Sequence, residues 1–256
     1  MEFLRDTWFL FLRLVRATSR MPVFVIISIV QPIIWVVLFG QLFQKVTTIR
    51  GFGAGSYVQF LAPGISIMTA LFSAAYSGMG MIADIDRGVL DRLLATPATR
   101  GALIAGRILH SAVQVILQAG IILGVAAVLG ARPRGGLIGI LVVLLTASLL
   151  GAAFASFSNG LALIARRQEL VIAVMNFTVL PMTFLSSMMM SQGLMPSWIR
   201  GVARFNPVNW AVTAARDAYE GRAGSELALS LALLAGFTLA CGAIATRAFR
   251  KYQDSM

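Results

Sequence analysis

A chain of 256 residues that is 58% hydrophobic and 12% charged, with a mean hydropathy of +0.84, is too apolar for a water-soluble domain; soluble domains carry about 25% charged residues. Its 21 Lys and Arg outnumber its 10 Asp and Glu, but they sit in short clusters between apolar runs. That is the pattern of positive-inside topology rather than of a nucleic-acid surface, so no nucleic-acid partner is expected. One Cys and one His exclude a disulfide framework and a Cys/His metal cluster.

Residues 1–20 read as an amphipathic helix. Arg5, Arg13, Arg16 and Arg20 fall within about 80° of one another on a helical wheel, while Leu4, Trp8, Phe11 and Val15 share another face. A helix lying in the membrane interface fits this better than a frayed start to the first span, and Arg5, Trp8, Arg13 and Arg16 are its expected interface residues. No small-residue cleavage site follows a short apolar core, so a removable signal peptide is not expected.

Six apolar segments then approach the ~20 residues that a bilayer core requires: Val23–Phe43, Tyr57–Ala83, Leu103–Leu129, Gly136–Ile164, Leu170–Met190 and Glu226–Thr246. Six crossings place both termini on one side. That side collects thirteen Lys and Arg against eight on the other, so both termini are expected in the cytoplasm. The expectation is an all-α integral membrane protein forming one domain over 1–256, without a soluble core of its own.

The longest polar interruption on the basic side is 84–100. Leu90, Leu93 and Leu94 recur at helical spacing there, bordered by Asp86, Arg87, Asp91 and Arg92, and Thr96-Pro97 stops the helix. An apolar ridge with a charged border suits docking of a soluble partner. On the opposite side, Pro181 interrupts the fifth span, Pro196-Ser197-Trp198 starts a short helix and Asn206-Pro207 ends it. This predicts an external re-entrant or surface-lying hairpin over 191–210.

Several chemistries are absent. Neither lysine, Lys45 or Lys251, stands in a phosphate-binding loop. Every acidic residue falls at a span end or in a loop, which leaves no ion-coupling site within the spans. His110 has no partner for nucleophilic or zinc chemistry in its span, so the chain is not expected to be an enzyme. Seven polar side chains do lie within spans: Gln31, Tyr76, His110, Gln114, Gln118, Asn159 and Asn176. His110, Gln114 and Gln118 recur every four residues on one stripe. They read equally as the wall of a substrate path and as interhelical hydrogen bonds, which are worth about 0.6 kcal/mol each. Gly120-x-x-x-Gly124 and Gly135-x-x-x-Gly139 permit close helix contact but are weak signals in a chain with 24 glycines.

DRGVLDRLLATPATR over 86–100, together with LPMTFLSS over 180–187, MPSW over 195–198 and Asn206-Pro207, resembles the membrane subunit of ABC-2-type transporters, in particular permeases of the daunorubicin-resistance kind. The resemblance covers essentially the whole chain. It departs at Asp86, where the family often has Glu, and at Met188–Ser191, where it often has Phe-Pro. It implies a half-transporter: two permease chains, identical or homologous, each docked on a cytoplasmic ATPase subunit that carries the ATP and Mg, with no cofactor in this chain. The coupling helix would comprise Asp86, Arg87, Leu90, Leu93, Leu94, Thr96 and Pro97, and the N-terminal helix would be a second contact. The external hairpin would involve Pro181, Pro196, Trp198, Asn206 and Pro207. A stable interface buries about 800 Å² per partner, more than one short helix offers. The expected function is ATP-driven export of an amphipathic drug or lipid across a bacterial inner membrane. A polysaccharide exporter of the same class ranks second, and an ion-coupled carrier or channel follows.

Overall fold

The computed structural model describes residues 2–45, 56–95 and 100–253; Thr96 and Pro97 of the expected coupling loop lie outside these. Eleven α-helices are described and, among the described residues, no strand. They are α1 (Glu2–Ser19), α2 (Pro22–Leu42), α3 (Tyr57–Ala75), α4 (Ser77–Asp86), α5 (Val89–Leu94), α6 (Arg100–Val128), α7 (Gly136–Ala165), α8 (Gln168–Phe184), α9 (Ser197–Ala203), α10 (Pro207–Tyr219) and α11 (Ser225–Gln253). Helix starts follow local chemistry. Pro22 opens α2, where its missing N–H costs nothing, and Ser56 caps α3 by accepting from the Gln59 amide at 3.1 Å.

α7 is the hub, packed against α3, α4, α6, α8, α10 and α11. α3 is enclosed on nearly all sides, whereas α2 and α11 turn Val23, Ile26, Ile27, Leu229, Leu239 and Ile244 outward. In hydrocarbon, such a surface is solvated as it stands. Among the described residues, five stretches are long and apolar enough to cross a bilayer: Val25–Leu42, Tyr57–Asp86, Gly101–Val128, Gly136–Ala165 and Ser225–Phe249. The chain is thus a multi-pass membrane protein.

Small residues set the closest contacts. A Cβ on Gly139 would lie 2.4 Å from the Ala218 carbonyl oxygen, and one on Gly135 would lie 2.0 Å from the same atom. The Gly135 amide donates to the Tyr219 carbonyl at 3.1 Å. The glycine pair is therefore the seat on which the end of α10 rests against the start of α7. Gly120 and Gly124, by contrast, face open space.

Three elements differ from the sequence expectation. The second span is α3 plus α4, broken at Tyr76 and prolonged to Asp86. The fifth, expected over Leu170–Met190, ends as a helix at Phe184; its 17 residues make it shorter than the other apolar helices that reach across. The segment expected as a hairpin over 191–210 is followed by helix α10 to Tyr219, because Asn206-Pro207 begins a helix instead of ending one. Asn at N-cap followed by Pro at the first helical position is a start signal.

Gly139→Val should destabilise the fold by about 1–3 kcal/mol through overpacking, whereas Gly120→Ala should be nearly neutral. Thermal unfolding of the two variants in detergent separates them.

Candidate functional site

The N-terminal helix is built on α6. Thr7, Leu10 and Phe11 are buried, and a Cβ on Gly106 would lie 3.0 Å from that of Leu10. Leu4, Trp8 and Phe9 stay exposed, as do Arg5 and Arg16. Arg13 does not join them. Its Nη2 donates to Asp84 Oδ2 at 2.8 Å, and Arg107 Nη2 donates to the same oxygen. One carboxylate therefore fastens α1, α4 and α6 together. Sequence reasoning placed Asp84 at a loop edge and so missed it; the signal was an acid one turn inside a helix with two basic residues able to reach it.

α4 runs from this node into α5. Asp86, Arg87 and Arg92 are exposed, Leu93 is half-buried, and Leu90 is buried at 1% exposure. The leucine ridge thus faces partly inward, with Leu90 anchoring α5 to the core while the charged border faces out.

The in-span polar residues divide into three places. Tyr76, Asn159 and Asn176 meet at the α3–α4 break. Tyr76 Oη donates to Asn176 Oδ1 at 2.7 Å, and Asn159 Nδ2 to Ser77 Oγ at 3.0 Å. Ser158 Oγ donates to the Ala75 carbonyl and accepts from the Gly78 amide at 3.0 Å, bridging backbone groups that the break would leave unsatisfied. His110 and Gln118 point elsewhere: His110 Nε2 shares a hydrogen bond with Thr18 Oγ1 at 3.0 Å, and Gln118 Nε2 donates to Ser28 Oγ at 3.2 Å. Gln114 is half-buried on the same helix. Gln31 is exposed in a shallow groove with Ile26, Ile27, Val30, Ile34 and Trp35. Buried acceptors remain open at Gln118 Oε1 and Asn159 Oδ1.

A further polar cluster lies where α8 ends. Pro181 is followed by one helical turn, then by irregular chain. Asn206 caps both sides of the turn-back: its Oδ1 accepts from the Val208 amide at 2.9 Å, and its Nδ2 donates to the Met182 and Leu185 carbonyls at 2.7 and 2.9 Å. Asn209 Oδ1 accepts from the Ser187 amide at 2.9 Å, and the Arg216 guanidinium donates to the Ser187 and Met188 carbonyls at 3.0 and 3.1 Å. Asn206, Asn209, Thr213 and Arg216 form one face of α10. Arg216 also stacks 3.7 Å over the Phe60 ring. Desolvation pulls its guanidinium down to about 9, against the opposing pull of Asp217 and Glu220. Pro196 precedes α9, and Trp198 on that helix is exposed.

An all-helical bundle with several apolar helices long enough to cross a bilayer and a second span broken at Tyr76 has the architecture of a multi-pass membrane permease. The family model for "ABC-2 type transporter" matches residues 5–219, and the chain belongs to that family. It is 26% identical over 242 residues to the daunorubicin resistance ABC transporter permease protein DrrB1 of Streptomyces coeruleorubidus, covering 93% of this chain and 83% of the relative. It is 30% identical over 220 residues to the putative transport permease ycf38 of Cyanophora paradoxa, covering 85% and 75%. A probable doxorubicin resistance ABC transporter permease protein, DrrC of Mycobacterium tuberculosis, is 26% identical over 230 residues, covering 90% and 82%.

Asp84→Asn should free α1 at a cost of about 2 kcal/mol, since two guanidinium groups lose the counter-charge they share. Hydrogen exchange over residues 2–19 should accelerate several-fold, and Asp6→Asn should leave it unchanged.

Proposed function

We propose that the chain is the membrane subunit of an exporter that moves an amphipathic drug or lipid outward, driven by separate ATPase subunits that bind ATP and Mg. The observation that carries this reading is the family match over residues 5–219, joined by relatives whose names are those of drug-resistance permeases. Two permease chains and two ATPases form the working unit in a bacterial inner membrane. Both termini are cytoplasmic, and α8 makes the sixth crossing despite its length.

On this reading, the force enters at α5. Asp86, Arg87 and Arg92 present the charged border, while Leu90 and Leu93 supply the apolar ridge and tie it to the bundle; Leu94, Thr96 and Pro97 belong to the same expected coupling segment. Closure of the ATPases pushes on α5, and the short α4 passes the push to Asp84 and to the break at Tyr76. Because Asp84 also holds Arg13, α1 moves with α4, and its exposed Arg5, Trp8 and Arg16 ride at the membrane surface or on the ATPase. Opening of the hydrogen bonds around Tyr76, Asn159 and Asn176 would change the angle between α3 and α4. That rearrangement, together with the open acceptors at Gln118 and Asn159, offers a polar wall to a substrate passing Gln31, His110 and Gln114. The turn-back around Pro181, Pro196, Trp198, Asn206 and Pro207 forms the outer gate.

Co-expression with the cognate ATPase, followed by purification into nanodiscs, tests the assignment. Arg87→Glu and Leu93→Asp should each reduce ATPase co-purification and permease-dependent ATP hydrolysis about tenfold. Unchanged hydrolysis in the exposed-site variant Arg87→Glu, with the permease folded, would sink the coupling role of α5.

A further inference from the structure

Beside the turn-back lies a cavity of about 650 Å³ with a strongly charged lining: Arg216, Asp217, Glu220, Arg222 and Glu226, accompanied by Phe60 and hydroxyl and amide side chains. Most of these charges are already matched. Arg222 Nε binds Asp217 Oδ1 at 3.1 Å. Glu220 accepts from Gln59 Nε2 at 3.0 Å and lies 3.6 Å from Arg134. Two charges are left over. Among the described residues, Arg216 makes no ion pair; its guanidinium spends two N–H groups on carbonyls, and its Nε is shielded from water without a partner. Glu226, exposed in the first turn of α11, likewise makes no ion pair.

A shielded guanidinium whose hydrogen bonds go to neutral carbonyls, with Asp217 and Glu220 nearby but shared with Arg222 and Arg134, has its charge only partly compensated, and an anion would complete the site. Guanidinium suits phosphate in particular. A lone anion, however, would meet three carboxylates along the same wall. A ligand that carries its own positive charge avoids that repulsion and matches both leftover groups at once. We propose that this cavity binds a zwitterionic phosphoethanolamine group, with the phosphate on Arg216 and the ammonium on Glu226. The inference rests on the reading of the chain as an exporter of amphipathic molecules and deepens it by naming the polar end that such a molecule presents at the turn-back. The group belongs either to a membrane phospholipid or to a soluble phosphoethanolamine.

Delipidated chain in detergent, titrated separately with phosphatidylethanolamine and phosphatidylglycerol and read by native mass spectrometry, tests the site. The wild-type chain should prefer the ethanolamine lipid about tenfold. Glu226→Gln, at an exposed position that leaves the fold intact, should bring the two lipids near parity. Arg216→Lys should weaken both; if it fails to fold, Glu226→Gln alone decides. Competition with soluble phosphoethanolamine distinguishes the sources: displacement assigns the site to the free compound, and retained lipid binding assigns it to the lipid. Equal binding of the two lipids by the wild-type chain, or an unchanged preference in Glu226→Gln, would overturn the proposal. Because no ATPase is present, these outcomes bear on the cavity alone, while failure of ATP-dependent export would count against the transport reading and leave the cavity standing.

Discussion

Backbone polar groups that lose their helical partners at membrane depth have no water to turn to, and this constraint shapes the chain more than any single apolar contact. It is met twice by side chains from a neighbouring helix. At the Tyr76 break, Ser158 serves as acceptor for one amide and donor to one carbonyl. At the end of α8, Asn206, Asn209 and Arg216 divide between them the groups of residues 182–188. In both cases the irregular chain is fixed by a rigid helix, so an interruption that elsewhere would be a weak point becomes a defined joint.

The two joints are linked through the packing order. α7 carries Ser158 near its far end and Gly135 and Gly139 at its start, where α10 is seated. α3 touches both α7 and α10. A change of angle at Tyr76 is therefore felt by the helix that secures the turn-back, without a flexible linker between them. The Asp84 node adds α1 and α6 to the same body. On the proposed coupling through α5, a push there would reach the opposite end of the bundle through contacts already in place.

Much of this was legible in the sequence. Apolar length alone locates the long helices, and the arginine spacing of residues 1–20 announces α1. The expectation for residues 84–100 finds α5 but not its orientation, because periodicity identifies a leucine ridge without saying that Leu90 turns to the core. Asp84 was hidden by the same limit: pairing with Arg13, 71 residues away, is a tertiary event that leaves no local trace. The α10 helix was missed for a different reason, since Asn206-Pro207 was read as a stop although its chemistry is that of a start. The polar stripe on α6 shows how one spacing serves two ends, with His110 and Gln118 reaching to α1 and α2.

The brevity of α8 has a consequence for the surrounding lipid. Seventeen residues at 1.5 Å each give roughly 25 Å, against about 30 Å of hydrocarbon. With α8 as the proposed sixth crossing, lipids beside it would have to shorten their chains' reach or let headgroups sink toward the ends of the helix. Such a local dimple costs only fractions of a kcal/mol per Å. On the proposed reading, the membrane on that flank would already be part-way to yielding a molecule across it.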